Sequence, residues 1–364
     1  MEISVKKGEL LNGLQRIVGI VNPRPTLPAL SCIFLEAEED RLFLTATDLE
    51  LTIKAEVPCK TKRKGALLVP GKRFAGIIRE LPDAEISIVK EKNEKTQITV
   101  DKIVFTLPGL KTEEFPILPK IKKGMISKMK QEGLKRMLRR TRFSVTYDET
   151  RAYLRGLLFS LKKDSLVLVG TDTRRLAYIK KSYPSPVEMD IILPLKLIDE
   201  LEKSLDGEDV EINISPNQII FKTANLLIIS QLIEGQFPDY EATFPSKEDL
   251  KEVKVGRERL AAAVRRMNLL TTERHSSIRF DLLPQKIIVS INSPEAGEAS
   301  EPIPVEYSGE KIAISFNPVY ILDVLKNLEA ENVIVGISDP LKPALIRPDT
   351  DEEYKYILMP VKTE

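Results

Sequence analysis

Three stretches of the chain carry apolar residues at helical spacing. They are Leu10, Leu14 and Ile17 in GELLNGLQRIV (8–18), Leu134 and Leu138 in QEGLKRMLRRT (131–141), and Leu260 and Val264 in RERLAAAVRRM (257–267). Apolar positions three or four apart line one side of a helix, so each stretch predicts an amphipathic helix. After each comes an alternating apolar–polar pair of runs joined by a charged or Pro-containing turn: CIFLEAEEDRLFLTATD (32–48), GLLFSLKKDSLVLVGTD (156–172) and IRFDLLPQKIIVSINS (278–293). Alternation with period two is the signature of half-buried strands, here as hairpins. A short apolar run then enters a second amphipathic segment: LLVPGKRFAGIIRELP (67–82), IILPLKLIDELEKSLD (191–206) and IAISFNPVYILDVLKNLE (312–329). A Pro or Asn-Pro marks the start of each of these helices. Further strand-like runs follow, closing on EEFP (113–116), GQFP (235–238) and ILMP (357–360).

The order is therefore helix, strands, strand–helix, strands, three times over. Pro194 follows Pro70 by 124 residues (194 − 70), and the Thr-Asp of LTATD recurs in LVGTD at the same offset (171 − 47). A period this long indicates whole domains in tandem rather than a solenoid. Two helices beside mostly antiparallel strands make an α+β layer. The expected domains are 1–120, 121–246 and 247–364, with KIKKGMISK (120–128) and FPSKEDLKE (244–252) as polar linkers.

Composition narrows the function by exclusion. The 364 residues contain no run of ~18 apolar residues, so no membrane span is expected. MEISVKKGELL lacks the basic and apolar regions of a secretory signal, and Cys32 and Cys59 give no disulfide framework, so a cytoplasmic protein with buried thiols is expected. The one histidine, His275, cannot build a His-rich zinc site, and no G-x-S-x-G elbow supports a serine hydrolase. GALLVPGKR (65–73) imitates a phosphate loop, but five residues separate Gly65 from Gly71 and Arg73 replaces the metal-binding hydroxyl. Asp349, Asp351, Glu352 and Glu353 read as a solvated turn. The chain thus lacks catalytic grammar, and neither metal nor cofactor is expected.

Charge is abundant and balanced, 55 Lys+Arg against 54 Asp+Glu, so any nucleic-acid contact requires the signs to be segregated. The first helix of the second repeat carries Lys135, Arg136, Arg139 and Arg140, and that of the third carries Arg257, Arg259, Arg265 and Arg266. Lys72, Arg73, Arg79, Lys196, Lys203 and Lys326 follow on the second helices, while Arg24 stands between two prolines on a stiff loop. Taken singly these are ordinary solvated positions. Basic residues on equivalent helices suggest a surface suited to a repetitive phosphate backbone.

RPTLPAL, LLVPGKRF, RAYLRGLLF, GTDTRRLA, EGQFPDY and ILMPVK, in this order and spacing, make the full length resemble the β sliding clamps of bacterial DNA polymerase III. The resemblance implies a half-ring of three clamp domains, closing head to tail with a second copy around duplex DNA. It further implies a non-enzymatic processivity factor that tethers the replicative polymerase catalytic subunit, is opened by an ATP-dependent loader, and receives other proteins through short linear motifs.

The matching positions for DNA are Arg24, Lys72, Tyr153 and Lys196; the family often has two adjacent tyrosines where this chain has Ala152-Tyr153. For the partner-peptide pocket they are Arg151, Leu154, Thr171, Arg174, Arg175, Leu176, Pro238, Thr243, Leu341, Pro343, Met359, Pro360 and Val361. Here Thr-Asp-Thr-Arg-Arg-Leu replaces the common Thr-Asp-Gly-His-Arg-Leu, adding a charge at Arg174. For ring closure, Phe105 and Leu107 would meet Leu269 and Leu270, and Arg73 would lie on a basic edge facing Glu295, Glu298 and Glu301. Two other readings compete: a nucleotide-processing or hydrolytic enzyme on three α+β domains, and a monomeric scaffold that never closes.

Overall fold

The computed structural model describes residues 1–118, 124–146, 151–185 and 187–362. The described α-helices are α1 (Lys7–Ile17), α2 (Gly71–Glu80), α3 (Gln131–Arg142), α4 (Leu195–Ser204), α5 (Arg257–Asn268) and α6 (Pro318–Lys326). They fall where the apolar spacing places them. Among the described residues every strand pair is antiparallel, and the three expected hairpins form: Cys32–Glu38 with Arg41–Thr47, Gly156–Lys162 with Ser165–Thr171, and Ile278–Leu283 with Lys286–Ser293.

A strand precedes the first helix of every repeat: Glu2–Lys6, Met125–Lys130 and Lys251–Gly256. The stretches expected to be linkers therefore run into sheet, Met125–Lys130 pairing along its length with Asp209–Ser215. No side chain caps α1 or α5. The first helical N–H finds a backbone carbonyl instead: Lys7 donates to Ala84 (3.1 Å), Gln131 to Glu208 (3.0 Å) and Arg257 to Glu331 (2.9 Å). One orphan donor per helix is satisfied by the approach to the repeat's second half, which removes the need for a Ser, Thr or Asp cap.

The described chain groups into two compact units. Unit one holds residues 1–135 and 196–232, and unit two holds 136–195 and 233–364. Unit one has a five-stranded sheet ordered Lys60–Arg63, Glu2–Lys6, Glu85–Lys90, Lys95–Val100, Ile103–Pro108. Its eight-stranded sheet runs Met125–Lys130, Asp209–Ser215, Gln218–Lys222, Leu226–Gln231, Leu51–Pro58, Arg41–Thr47, Cys32–Glu38, Gly65–Pro70. Unit two has an eight-stranded sheet ordered Met189–Pro194, Gly156–Lys162, Ser165–Thr171, Arg175–Ser182, Tyr354–Leu358, Ala344–Pro348, Asn332–Ile337, Lys251–Gly256. Its second sheet runs Gly297–Pro304, Lys286–Ser293, Ile278–Leu283, Ile312–Phe316. Each eight-stranded sheet thus joins strands of two successive repeats.

The cores follow the patterning. In unit one Leu10, Leu14 and Ile17 of α1 are buried, as are Leu42 and Leu44 of the strand beneath. Gly13 sets the approach: a Cβ there would stand 2.4 Å from a Val57 methyl and 2.9 Å from a Leu44 methyl. Any side chain at that position would lift α1 from its sheet. In unit two the inner face of Tyr354–Leu358 is pinned by side-chain bonds. The Tyr354 hydroxyl donates to the Arg140 carbonyl (3.2 Å), and the Tyr356 hydroxyl donates to the Tyr320 carbonyl (2.9 Å).

Candidate functional site

The repeated Thr-Asp builds the same turn twice. In unit two, the Asp172 carboxylate accepts the backbone N–H groups of Arg174 and Arg175, both at 2.9 Å. The Thr171 hydroxyl donates to the Arg175 carbonyl (2.7 Å) and accepts the Thr173 N–H (3.1 Å). In unit one, Asp48 accepts from Glu50 and Leu51, and Thr47 donates to the Leu51 carbonyl and accepts from Leu49. Short side chains that bond their own backbone fix such turns. The residue after each Asp is left-handed, with φ of 81° at Leu49 and 74° at Thr173. That region is costly for a branched side chain and open to glycine.

The second turn stands at the end of three adjacent strands. Strand Arg175–Ser182 pairs with Tyr354–Leu358 in the register Arg175↔Leu358, Leu176↔Ile357, Tyr178↔Lys355. The Met359 N–H donates to the Arg174 carbonyl (2.9 Å), and Ala344 lies opposite Leu358, so Arg174, Pro343 and Met359 gather at one end of three adjacent strands. Pro360 follows, and the Val361 N–H donates to the Ser315 carbonyl (2.8 Å). Leu341, Met359 and Val361 are 63%, 41% and 37% exposed, apolar side chains left in water.

Beside it a cleft of about 320 Å³ is lined by Thr146, Arg151, Leu154, Asp172, Thr173, Arg174 and Tyr320. Arg175 bonds or stacks on two of its lining residues, Asp172 and Tyr320. Its guanidinium donates to Asp172 (3.0 Å) and Asp323 (2.5 Å) and lies 4.4 Å from the Tyr320 ring centre, locking the turn to α6.

Of the sequence-nominated residues, Arg151, Leu154 and Arg174 line this cleft, Arg174, Pro343 and Met359 meet at the strand ends, and Thr171 and Arg175 hold the turn between them. Leu176 sits in an apolar cluster with Leu158, Val167, Val169, Leu345 and Ile357. Pro238 and Thr243 lie on the segment whose Phe237, Tyr240 and Phe244 pack against that cluster, and the Thr243 hydroxyl donates to the Tyr240 carbonyl (2.6 Å). Tyr178, Tyr240 and Phe244, partly buried against that cluster, drew no notice in the sequence, because single aromatic residues on strands and linkers read as core. Burial raises the phenol pKa of Tyr178 and Tyr240.

The nucleic-acid set divides between the units. In unit one Arg24 is exposed on its loop and Lys72 is exposed in the first turn of α2. A Cβ on Gly71 would stand 3.1 Å from Val21, and one on Gly19 would stand 2.8 Å from the Glu200 carboxylate of α4. The segment feeding the Arg24 loop is therefore bordered by the helices that carry Lys72 and Lys196. Lys196 is half-exposed and ion-paired with Asp48. Tyr153 lies in unit two, packed near Gly235.

Several other basic helix residues are already engaged. Arg16 pairs with Asp206 (3.0 Å), Arg139 with Glu329 (3.7 Å), Arg140 with Asp351 (2.8 Å) and Lys203 with Glu200 (2.9 Å). Lys135 donates to the Leu205 carbonyl (2.9 Å), and Arg257 to those of Ala330 and Leu325. Lys72, Arg73, Arg79, Arg259, Arg265 and Lys326 remain exposed.

At the outer edge of unit one, strand Ile103–Pro108 exposes Ile103, Val104 and Phe105, while Leu107 is only 5% exposed, covered by its own sheet. In unit two the edge strand Gly297–Pro304 carries Glu298 and Glu301, with Leu269 81% exposed after α5 and Leu270 half-buried beside it. Glu301 is held by both arms of Arg266 (2.7 and 2.6 Å), which lowers its carboxyl pKa, and Glu295 pairs with Arg274 (3.5 Å). The acidic edge is thus partly neutralised from within its own chain.

The decoys resolve plainly. Gly65–Pro70 is a strand and Gly71 begins a helix, so GALLVPGKR forms no phosphate loop. Cys32 and Cys59 are buried free thiols, and burial raises both pKa values. Among the described residues no group of three His, Cys, Asp or Glu is placed to hold a metal ion, and no helix is long and apolar enough to cross a membrane.

Comparison with known proteins covers the whole chain. The models of the DNA polymerase III beta subunit match in order: N-terminal domain at residues 1–119, central domain at 128–239 and C-terminal domain at 242–362. The beta sliding clamp of Chlamydia pneumoniae is 32% identical over 366 residues, covering 100% of this chain and 99% of that protein. Among solved structures, the DNA polymerase III subunit beta of Pseudomonas aeruginosa superposes with a TM-score of 0.94 at 32% identity, and the sliding clamp of Bacillus subtilis with 0.95 at 31%. Both alignments cover 100% of each chain.

Proposed function

The chain belongs to the beta sliding clamp family of DNA polymerase III beta subunits, and from that premise we propose that two copies close head to tail into a ring that surrounds duplex DNA and tethers the replicative polymerase. Each copy contributes three clamp domains, 1–120, 121–246 and 247–364.

The junctions between repeats carry this reading. The third strand after the first helix of one repeat pairs with the last strand of the next: Leu51–Pro58 with Leu226–Gln231, and Arg175–Ser182 with Tyr354–Leu358. By the same rule Gly297–Pro304 and Ile103–Pro108 should each have such a partner, yet both are sheet edges. Pairing one copy's Gly297–Pro304 with the other's Ile103–Pro108 repeats the junction a third time. The exposed Ile103, Val104 and Phe105 supply the apolar contact. Unlike edges that meet in this way close after two copies if the rotation closes. Arg73, Leu269 and Leu270 belong to the same contact.

A ring need not read bases. Phosphate contacts hold without specifying sequence and leave the clamp free to slide. Arg24, Lys72, Lys196 and Tyr153 face the duplex in this reading. Lys196 is then a shared cation, bonded to Asp48 in the free chain. Retention is topological, so each contact can be weak. Tethering raises the polymerase's effective concentration at the primer end. The groove at Leu176 takes the linear motifs of the polymerase catalytic subunit, of an ATP-dependent loader and of other partners. The clamp performs no reaction of its own and works in the cytoplasm.

Loading onto circular DNA followed by linearisation tests the topology. The protein is expected to stay on the circle and be shed from the linear form; equal loss from both refutes encirclement. Sedimentation tests closure: twice the mass of one chain is expected, and Val104→Asp should give monomers. A V104D protein that still sediments as a dimer rules out the edge pairing.

A further inference from the structure

Resting on the groove reading above, we propose that a second cleft, lined by Phe244, Leu250, Arg347 and Lys355, binds the carboxylate of an acidic residue flanking the apolar motif of a partner peptide. The cleft has a volume of about 250 Å³ and shares Leu345 and Ile357 with the apolar cluster around Leu176. Residues two apart on a strand face the same side. Lys355 therefore lies beside Ile357, and its cross-strand neighbour Tyr178 lies beside Leu176. Lys355 stands two rungs from the groove centre, about 7 Å along the strand.

The Lys355 ammonium is a cation in search of an acid. It stands 4.9 Å from the Phe244 ring centre and 5.7 Å from that of Tyr178, and those two rings meet edge to face at 5.3 Å. Burial lowers its pKa, and Lys247 lowers it further. Glu352, which acts on it electrostatically, is paired with Lys247 at 3.3 Å, and Glu252 is paired with Arg347 at 3.1 Å. Three cations and two carboxylates line the cleft, which leaves one positive charge uncompensated. A half-buried ammonium without a paired carboxylate loses hydration and regains little from ring faces, whereas an incoming carboxylate forms a charge-assisted bond. One surplus charge matches a monocarboxylate better than a phosphate. The apolar walls Phe244, Leu250 and Ile357 favour an acid carried on a chain already lying in the groove.

The test uses the full-length protein and a short labelled peptide with an apolar motif, made with Glu, then Gln, at each flank in turn. Anisotropy titrations are run on wild type, Lys355→Met, which keeps the stem over the rings, and Met359→Asp. At low salt, Glu at one flank is expected to bind ~10-fold tighter than Gln. That difference should vanish in K355M and shrink with salt. Equal binding of the Glu and Gln peptides to wild type, or a difference that survives in K355M, overturns the inference while leaving the groove intact. Motif peptides that bind neither at all, or bind M359D as well as wild type, overturn the groove reading and this inference with it.

Discussion

The two Thr-Asp turns share a backbone and differ in what surrounds them. At the first, Lys196, the second residue of α4, pairs with Asp48, and the Gln231 side chain donates to the Leu49 carbonyl (3.2 Å). At the second, the equivalent positions are Val319, the second residue of α6, and Met359, both apolar and exposed. Leu51, buried at the first turn, becomes Arg175 at the second, where it bonds Asp172 and Asp323. One turn is closed by polar partners from its own chain. The other keeps its carboxylate occupied from below and presents Val319, Met359 and Leu341 to the outside. The repeat supplies the same frame twice, and a few flanking positions make one copy a structural joint and leave the other open, as the proposed receptor role requires.

The strongest challenge to this contrast is a charge placed on the open turn. Met359→Glu should weaken a motif peptide ~10- to 100-fold, since burying a side chain of this size contributes about 1.5–3 kcal/mol. Gln231→Glu at the equivalent joint should leave affinity unchanged. Anisotropy on both variants checks the pair, and equal losses would erase the distinction between the turns.

Importing the joint's lysine is the next test. Val319→Lys should lower peptide affinity ~10-fold by setting a strongly hydrated charge in the apolar patch, with the thermal melt unchanged. Undiminished binding would show that α6 does not border the receptor.

The reciprocal change is smaller. Lys196→Met removes the partner of Asp48, and because the lysine is half-exposed the expected loss is about 0.5–1 kcal/mol in urea unfolding. No loss would mean that the pair does not hold the joint.

The smallest effect should be common to both turns. Leu49→Gly and Thr173→Gly relieve left-handed strain and should each stabilise by about 0.5–1 kcal/mol, net of glycine's entropy. Destabilisation at either site would remove strain as the reason why glycine suits it.

Helices α1, α3 and α5 and the three hairpins were legible because their periodicity lies within a few residues. The strands before those helices were not. ISVK and KEVKVG are short and carry no capping signal, since a distant carbonyl does the capping. The proposed groove was legible only in part. Thr171, Arg174, Arg175, Leu176 and Met359 came from a resemblance of motifs, while Tyr178, Phe244 and Lys355 gave no signal. A lysine on a strand reads as solvated until two rings are found beneath it.

By itself the sequence determined the repeat, the element types, and the Thr-Asp turns whose side chains bond their own backbone. All of these rest on interactions between residues near one another in the chain. Only the tertiary structure decided that Leu226–Gln231 joins Leu51–Pro58, that Tyr354–Leu358 joins Arg175–Ser182, and that two strands are left as edges. Strand pairing is made by backbone groups that every residue carries, so the choice of partner depends on which faces must be buried together and not on any local pattern.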